Sequence, residues 1–382
     1  MIGFRDASNG PTDVRCLPKA LLPLLFLLLP ALVGFGPPTL VESDDVRLPI
    51  GPTQLQLLEA SRPPAQIGQA SLIMDLSSGQ VVFQRNARAR LAPASTTKVM
   101  TAIVALERGD LRRSVTIREE DLVEGSSMGL QVGDTLTVEQ LLWGMLIASG
   151  NDAAQAIARV VGGGSVARFV EMMNEMARTL HLKDTQFENP HGLDATNHYS
   201  SAYDLAEVSR YAFRSPLFAR IVASQEYSIQ GSRTFTGTTT NQLLLLHALV
   251  QGVNGVKTGF TDRSGDSLIA SVNRGGHRVL VVVLGSMDRA RSAATLIEYA
   301  YNHFAWVSLP PPLRSSLSAS GRLAASVYTE VMVPAWQRYY VKISIALPSS
   351  QKASSFPGPE GLLTYYLGGQ ELARVPLYPP RG

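Results

Sequence analysis

Apolar positions recur at helical spacing through the middle of this chain and at strand spacing towards its end. Behind Pro93 and Ala94, the residues Val99, Met100, Ile103, Val104 and Leu106 predict a helix that ends near Gly109. Thr137-Val138-Glu139-Gln140 reads as a capping box. The helix it opens buries Leu141, Leu142, Met145, Leu146 and Ile147 and stops at Ser149-Gly150. Another begins with Asp152 and Ala153 and runs through Ile157 and Val160 towards Gly162. Behind Ser165 as cap, Val166, Phe169, Val170, Met173, Met176, Ala177 and Leu180 form one apolar stripe, so these methionines are core residues. A last long helix is predicted from about Ser292 through Leu296, Tyr299 and Phe304.

Two strands interrupt the helices, Ser267 to Val272 and Val279 to Leu284, with Arg274-Gly275-Gly276-His277 as the turn between them. Val279 to Leu284 contains no polar residue, which predicts a strand covered on both faces. The segment Lys257-Thr258-Gly259 just before them is then expected on a neighbouring edge strand beside a cleft. Beyond Pro310-Pro311-Pro312 the period becomes two. Val341, Ile343, Ile345 and Leu347 alternate with Lys342, Ser344 and Ala346, and Leu363 to Leu367, Gly368-Gly369 and Glu371 to Val375 read as a hairpin.

A length of 382 residues suits one large domain followed by a smaller one. The net charge of +3 is small, and no stretch combines clustered Lys and Arg with aromatics, so no nucleic-acid partner is expected. Cys16 is the single cysteine, which excludes an internal disulfide framework. No His/Cys cluster has zinc spacing, and no metal or cofactor is expected. After Arg15 and Lys19 comes an uncharged, leucine-rich run from Ala20 to Phe35, read as a cleaved export signal with an uncleaved anchor as the alternative. Either places the protein outside the cytoplasm, in the periplasm or cell envelope, with the N-terminus as its contact to the membrane surface. The expected divisions are signal or anchor 1–36, linker 37–66, a large domain 67–306, linker 307–322 and a small β-domain 323–382.

Three short motifs carry the candidate chemistry: Ser95-Thr96-Thr97-Lys98, Ser149-Gly150-Asn151 and Lys257-Thr258-Gly259. Ser-x-x-Lys alone is weak, and Ser349-Ser350-Gln351-Lys352 repeats it in a polar stretch read as a solvated loop. Ser95, by contrast, stands at a helix N-terminus, where residues three apart share a face and Lys98 can meet it. A serine hydroxyl needs an adjacent base, and lysine serves only when burial or nearby cations depress its pKa. A first-turn N–H can also face an oxyanion. Ser149 and Asn151 put a hydroxyl and an amide on a tight corner, and Lys257 brings a cation to the strand edge.

In their order and contexts these motifs resemble the penicillin-interacting serine enzymes, and among them the low-molecular-weight D-alanyl-D-alanine carboxypeptidases. The similarity extends to Ala70–Asp75 with Ser78-Gly79 and Val81–Phe83 as an opening hairpin. It also includes Leu91–Lys98 as the nucleophile segment and Asn189-Pro190-His191-Gly192-Leu193-Asp194 as a loop before a helix starting near Tyr203. It implies an α+β fold, an antiparallel sheet with helices on both faces plus an all-helical part, followed by a small β-sandwich-like domain. By the same resemblance Ser95 is the nucleophile, Lys98 its base, and Ser149 with Lys257 the proton relay. Asn151 would bind the acyl chain, and Ser95 and Phe260 would supply the oxyanion amides. Lys257, Thr258 and Gly259 would receive the substrate, and Arg291, or failing it Arg289, its terminal carboxylate. The implied partners are a peptidoglycan pentapeptide as substrate and β-lactams as inhibitors. A β-lactamase, an endopeptidase or transpeptidase, and a β-lactam sensor are the rival readings. The Glu-x-x-x-Asn of class A lactamases is missing between residues 160 and 200.

Overall fold

The computed structural model describes residues 62–65, 67–246, 250–309, 329–338, 342–346, 361–367 and 369–377. The leader, Cys16, the triple proline and the second Ser-x-x-Lys copy lie outside them. Residues Gln56–Gly382 form one compact unit. In chain order it contains β1 (Ala70–Asp75), β2 (Val81–Arg85), α1 (Lys98–Arg108), β3 (Ser114–Thr116), β4 (Thr135–Thr137), α2 (Val138–Ile147), α3 (Asn151–Val161) and α4 (Val166–Thr179). There follow α5 (Ala202–Ala212), α6 (Pro216–Val222), β5 (Glu226–Gln230), β6 (Thr234–Thr238), α7 (Gln242–Leu245), β7 (Val253–Gly259), β8 (Asp266–Arg274), β9 (His277–Ser286) and α8 (Arg289–His303). The last strands are β10 (Phe304–Leu309), β11 (Thr329–Pro334), β12 (Lys342–Ala346), β13 (Gly361–Leu367) and β14 (Gln370–Leu377).

The scaffold is a five-stranded antiparallel sheet in the order β2-β1-β9-β8-β7. Its central strand contains the run Val279–Leu284 without polar residues, and the alternation shows why. Leu280, Val282 and Leu284 face the helical side with Leu72, Met74 and Ile269. Val279, Val281 and Val283 face the other side, against Ala293, Leu296, Ile297 and Ala300 of α8. Removing each such Val or Leu from water contributes about 1.5–3 kcal/mol, so both faces must be apolar. The α+β arrangement expected from the sequence is present, with β7 at the sheet edge. On the helical side the Thr137 capping box forms as read, its hydroxyl accepting from the Gln140 amide.

Two smaller antiparallel sheets follow, β10-β11 and β12-β13-β14. The boundary expected after residue 306 falls inside β10, and Phe304, assigned to the last helix, opens that strand. The β10-β11 pair is tied to the main sheet by side chains. Gln80 bonds the carbonyl and amide of Met332 at 2.8 and 2.9 Å, and Trp306 Nε1 donates to Asp75 Oδ2 at 2.9 Å.

Candidate active site

The site forms where the head of α1, the α2–α3 corner and the C-terminal end of β7 meet. Ala94–Thr97 makes a 3₁₀ turn that runs into α1, so Ser95 lies one tight turn ahead of the α-helix proper. Both the amide and the hydroxyl of Thr96 donate to Pro93 O and close that turn.

Lys98 is fully buried. Its Nζ lies 2.8 Å from Ser95 Oγ, 2.7 Å from Asn151 Oδ1 and 2.6 Å from the carbonyl oxygen of His191. Burial, followed by the charge of Lys257, holds its pKa well below the ordinary lysine value, against an opposing pull from Asp152. An ammonium has three N–H groups to give, whereas the neutral amine has two and a lone pair. Asn151 Oδ1 and His191 O accept those two, which leaves the lone pair for the Ser95 hydroxyl.

A second lysine does parallel work on β7. Lys257 Nζ donates to Ser149 Oγ at 2.8 Å and to Thr258 O at 2.9 Å. Burial, with a contribution from Arg289, lowers its pKa to about 7. Ser149 itself has φ +63°, a left-handed conformation that costs a non-glycine residue of order 1 kcal/mol and projects its hydroxyl from the corner. Asn151 Nδ2 is fixed on Glu124 O at 2.6 Å. The Thr258 hydroxyl pairs with that of Thr240.

Gly259 lets β7 approach Ser95, since a Cβ there would lie 3.1 Å from Ala94 Cβ and 3.2 Å from Ser95 N. The backbone of β7 at Gly259 therefore adjoins the Ser95 amide, while Phe260 is 60 % exposed. Arg289 Nη1 donates to Gly259 O at 3.3 Å and to Asp266 Oδ1 at 3.0 Å. Arg291, preferred from the sequence, is exposed, and its amide is taken by Asp288. The structure thus places Arg289, not Arg291, beside the lysine strand.

Several contributors carry no motif of their own. His191 supplies a backbone carbonyl, and its ring, buried and near Lys98, has a pKa lowered to about 3. Asp152, directly after the second motif, accepts from the Met128, Leu130 and Ala153 amides at 3.0, 3.1 and 2.8 Å and from the Ser127 hydroxyl, fastening that loop. An acid in the first turn of α3 was the available sign of it.

The model of the peptidase S11 family, D-alanyl-D-alanine carboxypeptidase, matches residues 58–288. D-alanyl-D-alanine carboxypeptidase DacF of Bacillus subtilis is 33% identical over 63% of this chain and 64% of its own length. DacD of Escherichia coli is 37% identical over 65% of this chain and 66% of its own length. The chain therefore spans a little under two thirds of these two relatives. A solved structure of penicillin binding protein 5 from Haemophilus influenzae superposes with a TM-score of 0.72 at 28% identity, covering 83% of this chain and 98% of that one. The family match takes in the Ser95–Lys98 turn, the corner and the lysine strand together, and the chain belongs to the D-alanyl-D-alanine carboxypeptidase family.

Proposed function

We propose that this protein is a serine-type D-Ala-D-Ala carboxypeptidase that removes the terminal D-alanine from peptidoglycan pentapeptides. The observation that carries the reading is the buried Lys98 amine, its two N–H groups occupied and its pKa depressed, 2.8 Å from Ser95 Oγ. As Ser95 Oγ forms a bond to the peptide carbonyl carbon, its proton passes to Lys98. The oxyanion that develops faces the Ser95 and Phe260 amides. The C–N bond then breaks, the leaving nitrogen taking a proton through Ser149 and Lys257, and D-alanine departs. Water hydrolyses the Ser95 ester and regenerates the hydroxyl. Asn151 binds the acyl chain, and β7 receives the substrate backbone alongside it.

In this reading the substrate carboxylate is met by Lys257, Thr258 and Arg289. A β-lactam presents a carboxylate and a strained amide to the same groups and acylates Ser95. The apolar run Ala20–Phe35 supports an extracytoplasmic location, exported or held at the cytoplasmic membrane, where such a substrate lies.

Arg289→Ala tests the carboxylate assignment. Loss of a charge-assisted hydrogen bond of about 1.5–3 kcal/mol raises KM for a D-Ala-D-Ala peptide by about tenfold to a hundredfold. It also removes a cation that depresses Lys257, so the alkaline limb of the pH profile moves up. Arg291→Ala leaves both unchanged. The opposite pattern, with Arg291 sensitive and Arg289 silent, would return the role to Arg291.

A further inference from the structure

A cavity of about 670 Å³ lies away from the site just described. β7 pairs with β8 from Val253↔Val272 to Gly259↔Ser267, so the β8–β9 turn stands at the opposite end of the sheet from Lys257–Gly259. The cavity opens beside that turn, among the β1–β2 connection and the ends of α4 and α5, and no residue of the three motifs lines it.

Its walls carry more positive charge than the protein neutralises. Arg210, Arg214 and Arg278 line it with a single carboxylate, Glu207, which pairs with Arg210 at 3.0 Å. Among the described residues the other two guanidiniums have no carboxylate partner, and both lie over aromatic rings. Arg214 is 4.9 Å from the centre of Tyr211 and Arg278 is 5.3 Å from that of Phe213. A guanidinium held over a ring face still has N–H groups to donate. Arg278 Nε is buried without a hydrogen-bond partner, the only atom of a charged group in that state among the described residues. Such a donor costs about 1–3 kcal/mol unless something accepts from it. Arginines in a last helical turn commonly answer the helix dipole, which accounts for Arg210. Arg278 stands on β9 and has no such explanation.

We propose that this cavity binds a phosphate monoester through Arg214 and Arg278. Two unneutralised guanidiniums match a group carrying about two negative charges, where a carboxylate would leave one of them unanswered. The volume falls in the range of roughly 300–1,000 Å³ that holds small organic ligands, larger than a bare ion needs, so the phosphate is carried on an organic body. A small phosphorylated metabolite and the phosphorylated end of a polymer present the same group.

The test is isothermal titration calorimetry of the full chain with glycerol 1-phosphate and, separately, inorganic phosphate. Saturable one-to-one binding is expected, tighter for the ester, and unchanged in Ser95→Ala. Arg278→Met, which keeps a stem against Phe213, and the exposed-site variant Arg214→Ser each weaken it by about tenfold. Absence of saturable binding by either probe, or binding that survives both substitutions, would overturn the site. Equal affinity for the two probes would overturn the assignment of an ester.

Discussion

Lys98→Ala is expected to slow acylation of Ser95 by a factor of about 10² to 10⁴, the usual contribution of a positioned general base. The fold should survive, because the vacated amine interacts with Asn151 and His191, which have other anchors: Asn151 Nδ2 on Glu124, and the His191 ring on the Leu193 amide. Rapid-quench labelling with a fluorescent penicillin reads the rate directly. In wild-type protein that rate rises with pH as Lys98 loses its proton and falls again as Lys257 loses its charge near the upper limb. The direction follows from the environments. Burial favours the neutral amine at both lysines, and the charge of Lys257 lowers Lys98 further. In Lys98→Ala the acid limb should vanish while the alkaline limb remains. Labelling as fast as wild type would remove Lys98 from the base role.

Gly192→Ala should be nearly as damaging, although residue 192 performs no chemistry. A Cβ there would lie 1.9 Å from Ala94 O, 2.3 Å from Ala94 C and 2.9 Å from Ser95 N, all backbone atoms of the nucleophile turn. The residue also has φ +94°, a conformation that costs a non-glycine residue about 1–3 kcal/mol. The 190–193 loop must then retreat, taking with it the His191 carbonyl that holds Lys98. A lower melting temperature together with penicillin acylation reduced by about 10²-fold is the expected result, since a displacement of about 1 Å at a reacting group costs that much. Wild-type acylation in a folded Gly192→Ala protein would show that the loop does not set the nucleophile.

These two predictions mark the limit of what the sequence displays. Ser95 and Lys98 were legible because a helix places them on one face over three residues, and the capping box and the β8–β9 turn were legible for similarly local reasons. The third partner of Lys98 was not, because a backbone carbonyl carries no side-chain signature and His191 stands 93 positions away. Arg289, the second choice from the sequence, is the arginine found beside the lysine strand, and helix phase explains why Arg291 was preferred. The last helix was expected from Ser292, but Asp288 caps it and it begins at Arg289. Residues two apart on a helix point about 200° from one another, so a small error in its start exchanges cleft for solvent. Asp288, three residues before Arg291, was the readable cue. The β10-β11 pair was missed because Phe304–Leu309 finds its partner across a polar, proline-bearing stretch, at Thr329–Pro334.

The central claim is that Ser95 is the nucleophile of a DD-carboxypeptidase. Its most direct test is the release of free D-alanine from diacetyl-L-Lys-D-Ala-D-Ala by the purified protein, beside its Ser95→Ala variant. The account predicts sustained, multiple-turnover release by the first and none by the second, with both equally folded. Continued release by Ser95→Ala, or none by a wild-type protein that still forms a stoichiometric penicillin adduct, would contradict it.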